Sequence, residues 1–502
     1  MVGSGRVLVT GGSGYIAGFC VAQLLREGTQ VRTTVRSPAR ETEVRAAISK
    51  VVDACDRLEF MAADLNADAG WREACADCSG VLHVASPIPS RNPKDDGELV
   101  RPARDGALRV LKAARDAGVR RLVMTSSTAA VAYGHGGRSQ PFTEADWSDP
   151  SDRSDSSAYE RSKMIAERAA WDWHSREGGA LELVTVCPGA VIGPVLGGDF
   201  SASLDIVKKL IDGSLPGLPH FGWPLADVRD IADLHVRALR ASNAAGQRFI
   251  GAGAFYWMED IARVLREQVP EVAGKVPKRR LPSWLVRLSS VFDPVVRDRL
   301  FELDKERPVS ADKAKRELGW APRSNDEAIA STAHSLLAEG VVKRGQGRGA
   351  GAGGAMRAAL VLLALCASTA PTAASAQDMA SPVGRWRTVD DKTGKPLGIV
   401  RIYEQNGVLY GNVEEIFDPA RAGGNCTACT DDRKGKPMVG LNIIRSLKRD
   451  GDMWNDGTLI DPDAGSVYKS SARLDDVGRK LVMRGYIGIS LLGRSQTWLR
   501  ER

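Results

Sequence analysis

The chain of 502 residues is longer than one hydrophobic core usually organises, so two or more domains are expected before any motif is read. Apolar content of 43% and charged content of 26% are those of ordinary globular protein and exclude a disordered or collagen-like chain. The formal charge of +7 is small for this length, and the Lys and Arg residues are scattered without interleaved aromatics, which argues against a nucleic-acid partner and leaves small-molecule chemistry as the default.

Arg6 to Thr10 (RVLVT) is a β-branched run that enters Gly11-Gly12-Ser13-Gly14-Tyr15-Ile16-Ala17-Gly18 and then the helical pattern FCVAQLLREG. Strand, glycine turn and helix in this order make a phosphate cradle. Gly11 allows the tight turn, Gly14 lets the backbone approach a pyrophosphate, and the helix start offers unpaired N–H groups to its charge. The third small position is Ala17 where a glycine is usual.

Gln30 to Val35 reads as the second strand and ends at Arg36. A carboxylate there would accept from the ribose 2′-hydroxyl of NAD, whereas a guanidinium pairs with a 2′-phosphate, so Arg36 points to NADP. Arg32 and Arg40 stand close enough in sequence to assist, and the sequence does not choose between them.

Leu58 to Leu65 and Gly80 to Pro87 are two further buried-type strands. Between them Cys75-x-x-Cys78 reads as packing thiols, since no second pair lies nearby, and His83 as a strand residue rather than a ligand. The helical stretch Asp105 to Ala117 leads to the strand RLVMT and the hydroxyls Ser126-Ser127-Thr128. After a polar loop come Tyr159 and Lys163, four apart and therefore on one face of a helix. A phenol is a poor acid-base near neutrality, but a neighbouring ammonium is expected to bring its pKa toward working range, while a serine hydroxyl opposite bonds a substrate carbonyl.

TGGSGYIA, the Arg36 strand end, Ala63-Asp64-Leu65, HVASP, TSS, the Tyr159 and Lys163 pair, CPGAVIGP at Cys187 to Pro194, Asp227 to Ala232 and Leu318 to Pro322 together resemble the extended short-chain dehydrogenase/reductase family. Within it they are similar to the dihydroflavonol-reductase-like and aldehyde-reductase-like branch, part of the NAD-dependent epimerase/dehydratase superfamily. The resemblance covers nearly all of residues 5 to 340. It implies a doubly wound Rossmann α/β domain over residues 1–190 and a mainly substrate-binding subdomain over 191–340. It also implies that Tyr159 is the general acid/base, that Lys163 binds the nicotinamide ribose, and that Ser127, rather than Ser126, orients the carbonyl. Gly11, Ser13, Gly14, Tyr15 and Ile16 would surround the cofactor's phosphates, Asp64 and Leu65 its adenine, Ala85 its backbone, and Pro188 with Val191 the nicotinamide side.

Sugar dehydratases of the same fold place an Asp-Glu pair where this chain has Ala129 and Ala130, which removes the acid and base of that reaction. The expected activity is reversible hydride transfer between NADPH and an aldehyde or ketone, in a monomer or homodimer. An NAD-dependent sugar epimerase-like enzyme and a non-catalytic NADP-binding sensor are the alternatives. Phe200, Leu204, Phe221 and Trp223 could line the substrate pocket, with a core role the simpler use of each.

Residues 341–376 pass from a basic Gly/Ala-rich run to the apolar AALVLLALCA of Ala358 to Ala367 and then to Ala374-Ser375-Ala376. Charged, oily and small in sequence is the pattern of a secretory signal peptide, here behind Met356, and the apolar run falls short of the roughly twenty residues of a membrane span. The expectation is two joined reading frames, a cytoplasmic enzyme followed by an exported, periplasmic domain. Residues 377–502 alternate in short runs split by Gly, Asn and Asp turns: Gly398–Tyr403, Val408–Ile416, Leu441–Leu447, Ser466–Leu474, Lys480–Tyr486 and Ser495–Leu499. These read as a small antiparallel barrel, with Asn406-Gly407, Asp450-Gly451 and Asp456-Gly457 as turns. GRWRTVDDKTGKP, VLYGNV, GLNII, LIDPDAGSVY and RGYIGISLLGRSQTW resemble an uncharacterised family of small exported bacterial domains. Cys426 and Cys429 suit a loop-bracing disulfide better than a metal site, because this half contains no histidine and Asp431 or Asp432 would have to complete the ligand set. Trp386, Trp454 and Trp498 suit barrel core.

Overall fold

The computed structural model describes residues 5–87, 95–197, 203–291, 294–342, 381–389, 396–450, 453–463, 465–475, 478–486 and 493–501. The signal-peptide-like segment and Phe200 lie outside the described residues. Among the described residues no helix is long and apolar enough to cross a membrane. The chain divides into two compact units, Met1–Arg287 with Asp298–Arg348, and Leu288–Arg297 with Gly349–Arg502.

The first unit is built on seven strands: β1 (Arg6–Val9), β2 (Val31–Val35), β3 (Leu58–Ala62), β4 (Cys78–His83), β5 (Arg121–Thr125), β6 (Glu182–Pro188) and, after two strands of a smaller sheet, β9 (Arg248–Gly251). They lie in the order β3-β2-β1-β4-β5-β6-β9, every neighbouring pair parallel. Crossover helices cover both faces of such a sheet, so its strands are buried along their length, and β2 is fully buried even with Arg32, Thr33 and Thr34 in it. Helices α1 (Tyr15–Arg26), α2 (Glu41–Ser49), α3 (Trp71–Cys75), α4 (Gly97–Asp116) and α5 (Ala158–Glu177) supply that cover. One apolar cluster holds Val7, Val9, Leu24 and Val186, and a second holds Leu8, Val81, Leu122 and Trp173, so adjacent residues of β1 serve opposite faces. The order reverses between β1 and β4, which opens a crevice at the carboxyl ends of these strands.

The smaller sheet, in the order β10-β8-β7, joins β7 (Ala190–Ile192), β8 (Gly222–Asp227) and β10 (Phe255–Trp257). Leu204 and Phe221 are buried, and Trp223 is half-exposed.

The second unit is a closed antiparallel barrel of β11 (Gly384–Val389), β12 (Pro396–Gln405), β13 (Val408–Ile416), β14 (Asn442–Asp450), β15 (Met453–Asp461), β16 (Ser466–Asp475), β17 (Lys480–Tyr486) and β18 (Gly493–Arg500). Pairing of Trp386 with Arg500 closes the ring and leaves no free sheet edge. Asn406 and Gly407 both take positive φ between β12 and β13, as a two-residue hairpin requires. Asp456-Gly457 is not the turn its composition suggests. It lies inside β15, where Asp456 has φ +59° and the register against β16 slips between Trp454 and Gly457. The pair forms a bulge, and a Cβ on Gly457 would stand 2.6 Å from Leu447 Cγ. Eight strands therefore stand where alternation indicates six.

Cys426 and Cys429 are joined by a disulfide in the loop between β13 and β14. Asp431 pairs with Arg433 and Asp432 with Arg445, so neither carboxylate is left for a metal. Trp386, Trp454 and Trp498 are all buried inside the barrel. Replacing Trp498 with Ala should cost about 3–5 kcal/mol, read as an earlier barrel transition in a denaturant melt of the full chain.

Candidate active site

The residues singled out in the first unit lie mostly at the carboxyl ends of the parallel strands. The Gly11 to Ile16 turn follows β1, Arg36 follows β2, Asp64 and Leu65 follow β3, Ala85 follows β4, Ser127 follows β5, and Pro188 ends β6. Val191 lies just beyond, in β7. A parallel sheet brings these loops to one side, so residues nearly 180 positions apart in sequence share a rim.

Gly11 has φ +73°, and a Cβ on it would stand 3.0 Å from that of Ala85. Gly12 is closer still to its neighbour, since its Cβ would fall 2.3 Å from Thr33 Oγ1. Thr10 fixes the approach of β1 to β4. Its Oγ1 accepts the N–H groups of Val84 at 3.1 Å and Ala85 at 3.0 Å, and bonds His83 Nδ1 at 2.9 Å. Burial foremost, with the Lys163 charge behind it, pushes His83 down to about 3, so the ring is neutral and structural. Because Ala85 N–H is committed to Thr10, Ala85 can meet a cofactor only through its carbonyl and side chain. Helix α1 starts at extended Gly14 with no side-chain cap and no acidic residue in its first turn. Its free N–H groups and the absence of a Cβ at the turn fit a pyrophosphate, the group expected there.

Arg36 is exposed directly after β2. The structure separates it from Arg32, whose guanidinium is buried and spent on Glu59 and on the carbonyls of Glu73, Ala74 and Ala76. Arg40 pairs with Glu43. Cys75 and Cys78 are free, buried thiols, their pKa values raised chiefly by burial. Asp64 Oδ1 accepts from the backbone of Asn66 at 2.8 Å, and the Leu65 carbonyl accepts from Arg109 at 2.6 Å.

Helix α5 opens on a capping box in which Ser157 and Glu160 satisfy each other's backbone N–H groups, so Tyr159 and Lys163 occupy its first two turns. Lys163 is buried and donates to Ser86 Oγ at 2.8 Å, which ties the helix to the end of β4. Its nitrogen lies 5.7 Å from the Tyr159 ring centroid. Burial lowers Lys163 to about 8. Tyr159 is pushed up to about 12, by burial first and the Glu160 carboxylate second, against the opposing guanidinium of Arg299. The phenol is thus raised, not lowered as the Tyr159–Lys163 spacing alone would suggest: desolvation sets the direction, and the cation opposing it is Arg299.

The two candidate serines are placed differently. Ser126 is buried and donates to Glu167 Oε2 at 2.6 Å. Ser127 is half-buried, and its Oγ accepts from Ala129 N–H at 3.1 Å, which leaves the hydroxyl hydrogen available to a carbonyl. Ala129 and Ala130 are buried just behind it. Sequence reasoning did not find Thr10, Ser86, Glu167 or Arg248, which hold these groups through hydrogen bonds. Glu167 had a signal, a carboxylate four residues after Lys163 on the buried face of the same helix.

Exchange of Thr10 for Val, which keeps the shape but removes the acceptor for two N–H groups, should cost about 1–3 kcal/mol in a chemical melt.

A family model described as "NAD dependent epimerase/dehydratase family" matches residues 7–251, and one described as "Uncharacterized protein conserved in bacteria (DUF2147)" matches residues 384–500. Cinnamoyl-CoA reductase CAD2 of Medicago truncatula is 34% identical over 276 residues, 53% of this chain and 81% of that protein. Dihydroflavonol 4-reductase of Zea mays is 32% identical over 285 residues, 55% of this chain and 77% of that protein. Among solved structures, the yeast methylglyoxal/isovaleraldehyde reductase complexed with NADPH is 27% identical with a TM-score of 0.56, over 66% of this chain and 98% of that one. Residues 384–500 match the DUF2147 model, and through its first unit the chain belongs to the NAD dependent epimerase/dehydratase family.

Proposed function

We propose that residues 5–342 reduce an aldehyde or ketone with NADPH. The observation that carries this reading is the Tyr159 and Lys163 pair on one face of α5, with Lys163 bonded across to Ser86 beside the glycine turn. The reductases named among its relatives support it, as does Arg36 at the end of β2. The Gly11 to Ile16 turn would hold the pyrophosphate, Arg36 the 2′-phosphate, Asp64 and Leu65 the adenine end, and Lys163 the nicotinamide ribose. Ala85, Pro188 and Val191 would border the nicotinamide.

Bound NADPH supplies a hydride to the carbonyl carbon. Tyr159 Oη donates its proton to the carbonyl oxygen as that oxygen becomes an alcohol, and the proton is replaced from solvent. Ser127 Oγ donates a hydrogen bond to the same oxygen, whereas Ser126 is held by Glu167. A phenol near 12 stays protonated through the neutral range, which suits it to the reductive direction. Buried Ala129 and Ala130 offer no acid or base for dehydration.

A carbonyl panel followed at the absorbance of reduced nicotinamide tests the reading. Tyr159→Phe should lose about 10²–10⁴-fold in kcat with cofactor affinity retained, and unchanged turnover would sink the assignment. Arg36→Ala should weaken NADPH by about tenfold while leaving NADH unaffected; equal losses for both would remove the NADP assignment.

The pH profile follows from Lys163, whose folded-state pKa is lowered. As pH rises through about 8 the ammonium is lost, and kcat/KM for NADPH should fall with that midpoint, with Tyr159 adding no second fall below about 12. Stability moves the other way. Between about 8 and the unfolded value near 10.4 the unfolded chain binds the extra proton, so Lys163 makes the fold more stable as pH rises across that window.

We further propose that the barrel reaches an oxidising compartment as a separate product starting behind Met356. The buried Cys426–Cys429 disulfide supports this. Mass spectrometry of the native product should find two chains, and a single chain near 53.9 kDa would refute it.

A further inference from the structure

We propose that Glu167 and Arg248 form a buried strut that sets the position of Ser127 relative to Tyr159, which makes them positioning residues for the carbonyl. The inference rests on the reductase reading and deepens it. Glu167 is 0% exposed and stands four residues after Lys163 and eight after Tyr159, on the same face of α5. Its carboxylate gathers groups from three neighbouring strands of the sheet: the end of β5, the middle of β6 and the start of β9. It accepts from Ser126 Oγ at 2.6 Å, from Thr185 Oγ1 at 2.8 Å and from Arg248 Nε at 2.8 Å.

Arg248, on β9, continues the connection to the far side of the serine turn. Its Nη2 donates to the Ala130 carbonyl at 3.3 Å, its Nη1 donates to the carbonyls of Glu144 and Asp146, and its guanidinium stacks over the Trp147 ring at 3.6 Å. Ser127 is therefore bracketed. The residue before it is tied to Glu167, and the last residue of the 3-10 turn it caps is tied to Arg248.

Both ties end on the helix that carries Tyr159 and Lys163. A buried ion pair contributes little net stability over well-packed apolar side chains, but its hydrogen bonds are directional and hold their ends in one geometry. Donor placement at a reacting carbonyl tolerates errors of only about half an ångström. The strut supplies that placement without touching substrate.

The test uses the full chain, NADPH and the best carbonyl from the panel. Ser126→Ala cuts the tie while leaving the buried ion pair intact. It should lower kcat about tenfold with KM for NADPH within about twofold of the parent, and Ser126→Thr, which restores the hydroxyl, should recover activity to within about threefold. In a Ser127→Ala background the same Ser126→Ala change should cost less than about twofold, because the group it positions is gone.

Equal losses in both backgrounds, or no loss from Ser126→Ala alone, overturn the strut. Full activity of Ser127→Ala alone instead overturns the assignment of Ser127, and with it this role for Glu167. A readout free of substrate is amide exchange over residues 126–132. Exchange there should rise about tenfold in Ser126→Ala, and unchanged exchange refutes the tie whether or not a carbonyl has been found.

Discussion

The first unit depends on how closely the end of β1 approaches the end of β4. At that point the sheet reverses its strand order, and two chain segments more than seventy residues apart in sequence are joined by one side chain. Thr10 Oγ1 accepts from the backbone of both Val84 and Ala85, and beside it Gly11 takes φ +73° with room for a Cβ only at 3.0 Å from Ala85, so glycine is favoured there. The uncapped start of α1 faces the crevice this creates, and Ser86, three residues past the end of β4, is the group that Lys163 reaches. The glycine turn and the Tyr159–Lys163 pair are thus referenced to the same strand end.

Burial governs the chemistry of that pair more than charge does. An isolated Tyr and Lys four apart on a helix suggest an ammonium lowering a phenol. In the folded chain both side chains are desolvated, and each is pushed away from its charged form, Lys163 to about 8 and Tyr159 to about 12. The result is a phenol that stays protonated through the neutral range and an ammonium held below its ordinary range. Glu160 and Arg299, themselves an ion pair, act on the phenol in opposite senses, so its charge environment is set by these two residues.

The barrel solves a different problem. Closing eight strands removes exposed sheet edges, and the interior is filled by tryptophans together with Leu481, Met483 and Ile444. Bends are needed to curve the strands, and the Asp456-Gly457 bulge in β15 supplies one where the same dipeptide elsewhere would reverse the chain. Local composition cannot separate these uses. Asn406-Gly407 and Asp456-Gly457 both favour positive φ, and only the presence or absence of partners on both sides of the strand makes one a turn and the other a bulge.

The amino-acid sequence alone determined what is local or periodic: the strand, glycine turn and helix at Arg6 to Arg26, the apolar strands of the parallel sheet, the helical spacing of Tyr159 and Lys163, and the alternation of the barrel. Motif spacing also carried the family, because its residues sit at strand ends that every doubly wound sheet presents on one side. The tertiary structure decided what depends on partners distant in sequence. It committed Arg32 to Glu59 and three carbonyls, gave Ser126 to Glu167 while leaving the Ser127 hydrogen available, and set the sense of both pKa shifts. Hydrogen bonds and desolvation are properties of neighbours in space, and residues such as Glu167 and Arg248, eighty-one positions apart, become neighbours only when the sheet has formed.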